Sequence, residues 1–251
     1  MKIAGWFAKS GRANVRPYTS EMMGGHRGRT CVAVLLLAVI PAAPEVVWGQ
    51  GSIIARPIPF DARRQQLTLD YIHQHYDPSI GTVRIAPQMI VVHWTDTPSV
   101  DSTMRLFTPD ELPASRPDIA RGGALNVSAH YLVDRDGTIL SLVSDTVMAR
   151  HTIGLNLIAI GIENVGGGAA GPLTDRQLAA DRWLVLHLLD RYPAIRYLIG
   201  HCEYGRFRHT PLWEERDSTY LTPKTDPGAE FMARLRQSVG RPDLADRYGV
   251  R

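Results

Sequence analysis

MIVVHWT, residues 89–95, decides how this chain folds. Its first four residues are apolar and three of them are β-branched, with no polar residue breaking the run. That pattern is too short for a helix and lacks the alternation of a half-exposed strand, so it predicts a short strand buried on both faces. The run ends on a histidine, His93. Two later segments have the same form: LIAIGIEN (157–164) carries Glu163 near its end, and RYLIGH (196–201) stops at His201. Between and around them lie helical patterns. LTLDYIHQHY (67–76) has helical spacing. LTDRQLAADRWLVLHLLDRYP offers Thr174 as N-cap and apolar Leu178, Trp183, Leu186 and Leu189. AEFMARLRQSV closes the chain with an amphipathic helix. SAHYLVDRDGTILSLV reads as two strands joined at Asp136 and Gly137. This mixture predicts an α/β fold, a single domain with a central mixed β-sheet flanked by helices.

Two long loops interrupt it. TPDELPASRPDIARGGALN is rich in Pro, Gly and Arg, and loops of that length in a compact domain are usually functional. The second, between His201 and PKTDPG (223–228), carries charge and aromatics; its Phe207, Arg208 and Trp213 either line a groove or form a folded surface loop. A formal net charge of +3 over 251 residues is mildly basic. It suits an anionic polymer and is too weak to indicate nucleic acid.

Residues 1–49 differ from the rest. HRGR (26–29) precedes CVAVLLLAVIPAA, an apolar run followed by EVVWGQG. This is the pattern of a secretory signal peptide, and the run is short for a bilayer span. The mature chain is expected to begin near Gln50, with translation starting at Met22 or Met23. Residues 50–84 then form an N-terminal extension, 85–240 the main domain and 241–251 a tail. The expected location is periplasmic or secreted, as a monomer without a stable membrane partner. After cleavage Cys202 would be the single cysteine, which rules out an intrachain disulfide.

Three polar groups, His93, Glu163 and His201, terminate apolar strands, where sites are commonly assembled. A lone buried histidine is more often a hydrogen-bonded core residue than a ligand, but two histidines and a carboxylate at separate strand ends are less readily explained that way. In PKTDPG the prolines bias the backbone towards extended conformations, so Lys224 and Asp226 project to one side, as a surface ion pair or into a shared site. His93, His201 and Asp226 together supply two imidazoles and a carboxylate, a set suited to a metal with one open position.

VVHWTDTP, NVSAHYLVDRDGTI, MARHTIG, AIGIEN, LIGHCEY and PKTDPG, in this order, resemble the zinc-dependent N-acetylmuramoyl-L-alanine amidases of the amidase-2 class. These are relatives of the peptidoglycan-recognition proteins and of phage lysozyme-type amidases. The resemblance covers roughly residues 85–235. It implies Zn²⁺ held by His93, His201 and Asp226, Glu163 as catalytic base, Lys224 as electrophilic stabiliser, and peptidoglycan or muropeptide as substrate. It also implies a place near the substrate for His151, which then either binds substrate or supports a group that does, the alternative being a hydrogen-bonded structural histidine. From the residues themselves, His130 in the AHYLV strand is a candidate for the cleft floor, and Asn126 and Ser128 are candidates for shaping the substrate cleft. The connection from His201 to Asp226 is longer than in short members of the family and adds Glu203, His209, Glu214 and Glu215; Glu203, two residues past His201, is the alternative third ligand. Competing expectations are a non-catalytic peptidoglycan-binding module and a zinc peptidase acting on the stem peptide.

Overall fold

The computed structural model describes residues 51–114 and 116–249. The predicted signal segment lies outside them. Six strands and five helices follow in chain order: β1 (Ile53–Ala55), α1 (Ala62–His75), β2 (Met89–Trp94), α2 (Val100–Phe107), the one-turn α3 (Pro117–Ala120), β3 (Tyr131–Val133), β4 (Ile139–Ser141), β5 (Ala159–Asn164), α4 (Asp175–Arg191), β6 (Tyr197–Gly200) and α5 (Ala229–Val239). The strands form one mixed sheet in the order β1-β4-β3-β5-β2-β6. β3, β5, β2 and β6 run parallel, β4 is antiparallel to β3, and β1 is parallel to β4. The predicted α/β sheet and its main strands are all present.

β2 lies between β5 and β6, one strand in from the sheet edge. Met89, Ile90, Val91 and Val92 are fully buried, each removing apolar surface that stabilises the fold by about 1.5–3 kcal/mol per side chain. Alternation along the strands splits this surface in two. Ile90, Val92, Ile160, Ile162 and Leu198 pack against Leu184, Leu188, Met232 and Leu235 of α4 and α5. Met89, Val91, Ala159 and Ile199 face the other way, onto Tyr204, Phe207 and Tyr220 of the long 203–222 connection. α4 starts as its sequence predicts: Gln177 N–H donates to Thr174 Oγ1 and Thr174 N–H to Gln177 Oε1, a reciprocal cap. Its buried stripe runs through Leu178, Leu184, Val185, Leu188 and Leu189; the predicted Trp183 and Leu186 are only partly buried, and Trp183 stacks on His187 at 5.1 Å.

α2 and β1 have no counterpart in the sequence reading. α2 is capped by Ser99, whose Oγ accepts from Ser102 N. β1 is three residues long and depends on β4 for its ladder. Among the described residues no helix is long and apolar enough to cross a membrane.

Asp181 on α4 is fully buried, accepting from Asn164 Nδ2 at 2.9 Å, and the same amide donates to His93 O at 3.3 Å. Burial pushes the Asp181 carboxyl up to about 7 from 3.8. The folded value exceeds the unfolded one, so the stability this group allows is fully present below about pH 4 and is lost as pH rises through about 7. Urea unfolding should therefore show Asp181→Asn gaining on the native protein between pH 5 and pH 7, by up to about 1.4 kcal/mol per pH unit; a gap that does not change with pH contradicts this.

Candidate active site

The register of three parallel strands brings the site together. His93 pairs with Glu163 across β2 and β5, and Val92 pairs with Gly200 across β2 and β6, so His201 follows at the level of His93. Side chains two apart share a face. Val91 and His93, Gly161 and Glu163, and Ile199 and His201 thus all lie opposite α4 and α5. A fourth group arrives from PKTDPG, where Cys202 N–H donates to Asp226 O at 2.8 Å and fixes that backbone beside His201.

His93 Nδ1 and His201 Nδ1 stand 3.0 Å apart, and Asp226 Oδ2 lies 3.3 Å from the first and 3.0 Å from the second. All three residues are buried, and among the described residues they are the group able to hold a metal ion. Ligand atoms set about 2.0–2.1 Å from a tetrahedral centre are about 3.3 Å from one another, close to this triangle. Three lone-pair donors converging at these separations fit a cation between them. Burial draws His201 down to about 4, with His93 adding to the effect and Asp226 opposing it. At Asp226 burial works upward, yet His201 and His93 overcome it and hold the carboxyl far below its usual range. Neutral imidazole and ionised carboxylate are the forms that donate to metals.

Glu163 faces the same cleft. Its Oε2 is buried with no hydrogen-bond partner. Burial raises this carboxyl well above its ordinary value, Asp226 adds to the rise, and Lys224 and Arg116 pull it back. Lys224 and Asp226 both line the cleft, a cavity of about 430 Å³ that also includes Trp94, Arg116, Arg150 and Tyr220. Lys224 is the only lysine among the described residues, every other basic side chain there being arginine or histidine; that bias was a readable signal.

Other predicted residues are positioned differently. His130 is fully buried with both nitrogens on backbone, accepting from Gly161 N and facing Val147 O at 3.0 Å each. Asn126 is also fully buried; its amide donates to Leu106 O and Pro109 O, and its oxygen accepts from Val127 N. Both hold loops together and neither lines the cleft. His151 does line it, with its ring nitrogens engaged by His93, Thr152 and Ala159. Glu203 turns away from the histidines: it accepts from Gly200 N at 2.9 Å and from Arg206 and Arg236, locking the 3₁₀ turn His201–Phe207 to α5. Glu215 is paired with His75 of α1 at 3.0 Å and is not among the residues that line the cleft. Phe207 is a core residue and Arg208 lies outside the cleft, so neither forms the groove considered for them.

Arg150, which the sequence reading passed over, joins the two long loops. Its guanidinium donates to Ile119 O, Gly123 O and Leu125 O on one and to the Tyr220 hydroxyl on the other. Asp96, which also lines the cleft, ties the segment after β2 to the glycine-rich turn after β5, accepting from Ala169 N and Ala170 N. Gly167 is required there: at φ +78 its missing Cβ would meet the Trp94 ring within 2.2 Å.

The family described as N-acetylmuramoyl-L-alanine amidase (Amidase_2) matches residues 84–229. The chain belongs to this family. It is 32% identical over 187 residues to the 1,6-anhydro-N-acetylmuramyl-L-alanine amidase AmpD of Escherichia coli, covering 66% of this chain and 89% of that protein. The protein of the same name from Citrobacter freundii is 32% identical over 171 residues, covering 61% and 81%. A solved structure of peptidoglycan recognition protein-LE in complex with tracheal cytotoxin is 18% identical with a TM-score of 0.47, covering 77% of this chain and 96% of that one. Family membership supports amide hydrolysis in peptidoglycan as the general activity. α1 and β1 precede the matched amidase segment, yet β1 extends its sheet and Tyr71 of α1 lines its cleft.

After equilibration with zinc and desalting, the purified amidase should retain about one ion per chain by elemental analysis, Glu203→Gln should retain the same, and Asp226→Ala should lose most of it. Loss with Glu203→Gln and retention with Asp226→Ala would return Glu203 to the ligand set.

Proposed function

We propose that the protein is a zinc-dependent amidase that cleaves the bond between N-acetylmuramic acid and L-alanine. The observation that carries this reading is the triangle of His93 Nδ1, His201 Nδ1 and Asp226 Oδ2 beside a buried carboxylate oxygen without a partner. In it, His93, His201 and Asp226 hold the ion. Bound Zn²⁺ supplies Lewis acidity, lowering the pKa of a water to about 7.

Glu163 accepts a proton from the attacking water as the carbon–oxygen bond forms. The raised affinity of this carboxyl for protons suits that role. When the carbon–nitrogen bond breaks, Glu163 returns the proton to the departing amine. The products are a carboxyl group on the lactyl arm of the sugar and a stem peptide with a free L-alanine N-terminus. Lys224 meets the negative charge that gathers on the carbonyl oxygen, and removing one such donor typically costs 10²–10³ in kcat. The fixed position of these groups on strand ends and a tied loop means that little reorganisation accompanies the reaction.

The name carried by the AmpD relatives makes released 1,6-anhydro muropeptides the first substrate to try, ahead of intact wall. We read residues 1–49 as an export leader from their HRGR flank and apolar run, which gives a periplasmic or secreted enzyme; that it acts as a monomer is a separate part of this reading. Neither nucleic acid nor a membrane enters this reading.

Digestion of intact peptidoglycan and of released muropeptides by the chain from Gln50, followed by mass spectrometry, should yield stem peptides beginning with L-alanine and sugars that are otherwise intact. Cleavage inside the stem peptide would instead identify a zinc peptidase, and binding without release a recognition module. Glu163→Gln should keep its zinc and lose about 10²–10⁴ in kcat; near-native turnover in that variant removes Glu163 as the base.

A further inference from the structure

We propose that His151 is a positioning residue that fixes the ring and tautomer of His93, and not a group that binds substrate. The inference rests on the zinc reading above. His93 points Nδ1 at His201 and Asp226, which leaves Nε2 on the opposite side of the ring to carry the proton. That Nε2 lies 3.2 Å from His151 Nδ1, with the two rings at 89° and their centroids 5.2 Å apart. His151 Nε2 faces Ala159 O at 3.3 Å. A carbonyl can only accept, so the His151 proton sits on Nε2 and its Nδ1 is free to accept from His93. The proton pattern is therefore determined from Ala159 through His151 to the lone pair that His93 presents to the site.

The rest of the structure holds His151 in this pose. Its backbone N–H and that of Thr152 both donate to Asn156 Oδ1, at 3.0 and 2.7 Å, and the fully buried Asn156 in turn donates to the Tyr76 hydroxyl. Beneath the ring lies Gly161 of β5, where any Cβ would come within 2.8 Å of the imidazole. A glycine two residues before Glu163 on the site-facing side of β5 has this packing as its reason. Thr152 Oγ1 is the competing acceptor, 2.9 Å from His151 Nδ1 and 3.5 Å from His93 Nε2.

The test is zinc affinity, measured by chelator competition on the intact protein, with unfolding of the metal-free variants checked in parallel. His151→Phe keeps a flat ring over Gly161 and removes the acceptor; its zinc Kd should rise by about 10–100-fold. Thr152→Val should stay within about threefold of the native value. A folded His151→Phe with native zinc affinity and a raised KM at saturating zinc overturns the proposal in favour of substrate contact, as does a loss confined to Thr152→Val. Should His151→Phe not fold, ¹⁵N-labelled native protein loaded with zinc decides: a through-hydrogen-bond coupling between His93 Nε2 and His151 Nδ1 supports the assignment, and its absence with a freely exchanging Nε2 proton refutes it. Native protein that takes up no zinc fails the proposed function itself, whereas native protein that binds zinc with no help from His151 fails this inference alone.

Discussion

The parallel pairing of β5, β2 and β6 is the constraint on which the rest depends. In parallel strands the C-terminal ends share one edge, and the pleat gives residues of matching parity one face. Once Val92 opposes Gly200 and His93 opposes Glu163, two imidazoles and a carboxyl are at one level on one side of the sheet. α4 and α5 occupy the other side. A slip of one residue in β2 would turn His93 into the α4/α5 core and Val92 towards the cleft. The continuous apolar run of β2 makes that slip costly only through its neighbours, which is why the anchoring of Asn164 to both His93 O and Asp181 matters.

Around this edge, the walls are made by loops tied down with polar contacts. Arg150 binds three carbonyls on one long loop and a hydroxyl on the other. Glu203 uses both oxygens to lock the turn that begins with His201. Such charge-assisted bonds, buried or part-buried, are individually worth more than neutral ones and hold the loops in place. Glu163 lines this cleft half-buried, with one carboxylate oxygen fully covered, and burial raises its affinity for protons.

The strands, the capped α4 and the polar strand ends were legible because each follows from local pattern: an apolar run, a Thr-x-x-Gln cap, a histidine where the run stops. β1 was invisible because three residues carry no periodicity, and α2 because its Pro-Ser-Val-Asp start reads as part of a loop. Within the site, His93, Glu163, His201, Lys224 and Asp226 line one cleft; the strand ends and the PKTDPG spacing left a core residue or a surface ion pair open, and it was the resemblance to the amidases that grouped the five. His130 and Asn126 could not be sorted from their types, since a buried histidine or amide looks alike in sequence whether its partner is a ligand or a backbone carbonyl. Glu203 shows the limit of spacing arguments: the i, i+2 rule holds for extended chain, and the backbone becomes a 3₁₀ turn at His201.

In the proposed enzyme His93, His201 and Asp226 share one metal ion at the strand edge. Anomalous diffraction at the zinc edge from crystals of the zinc-equilibrated protein tests it directly. A single strong peak is expected, bounded by His93 Nδ1, His201 Nδ1 and Asp226 Oδ2, each about 2.0–2.2 Å away. A peak ligated elsewhere, or full zinc loading with no density between those three atoms, would contradict it.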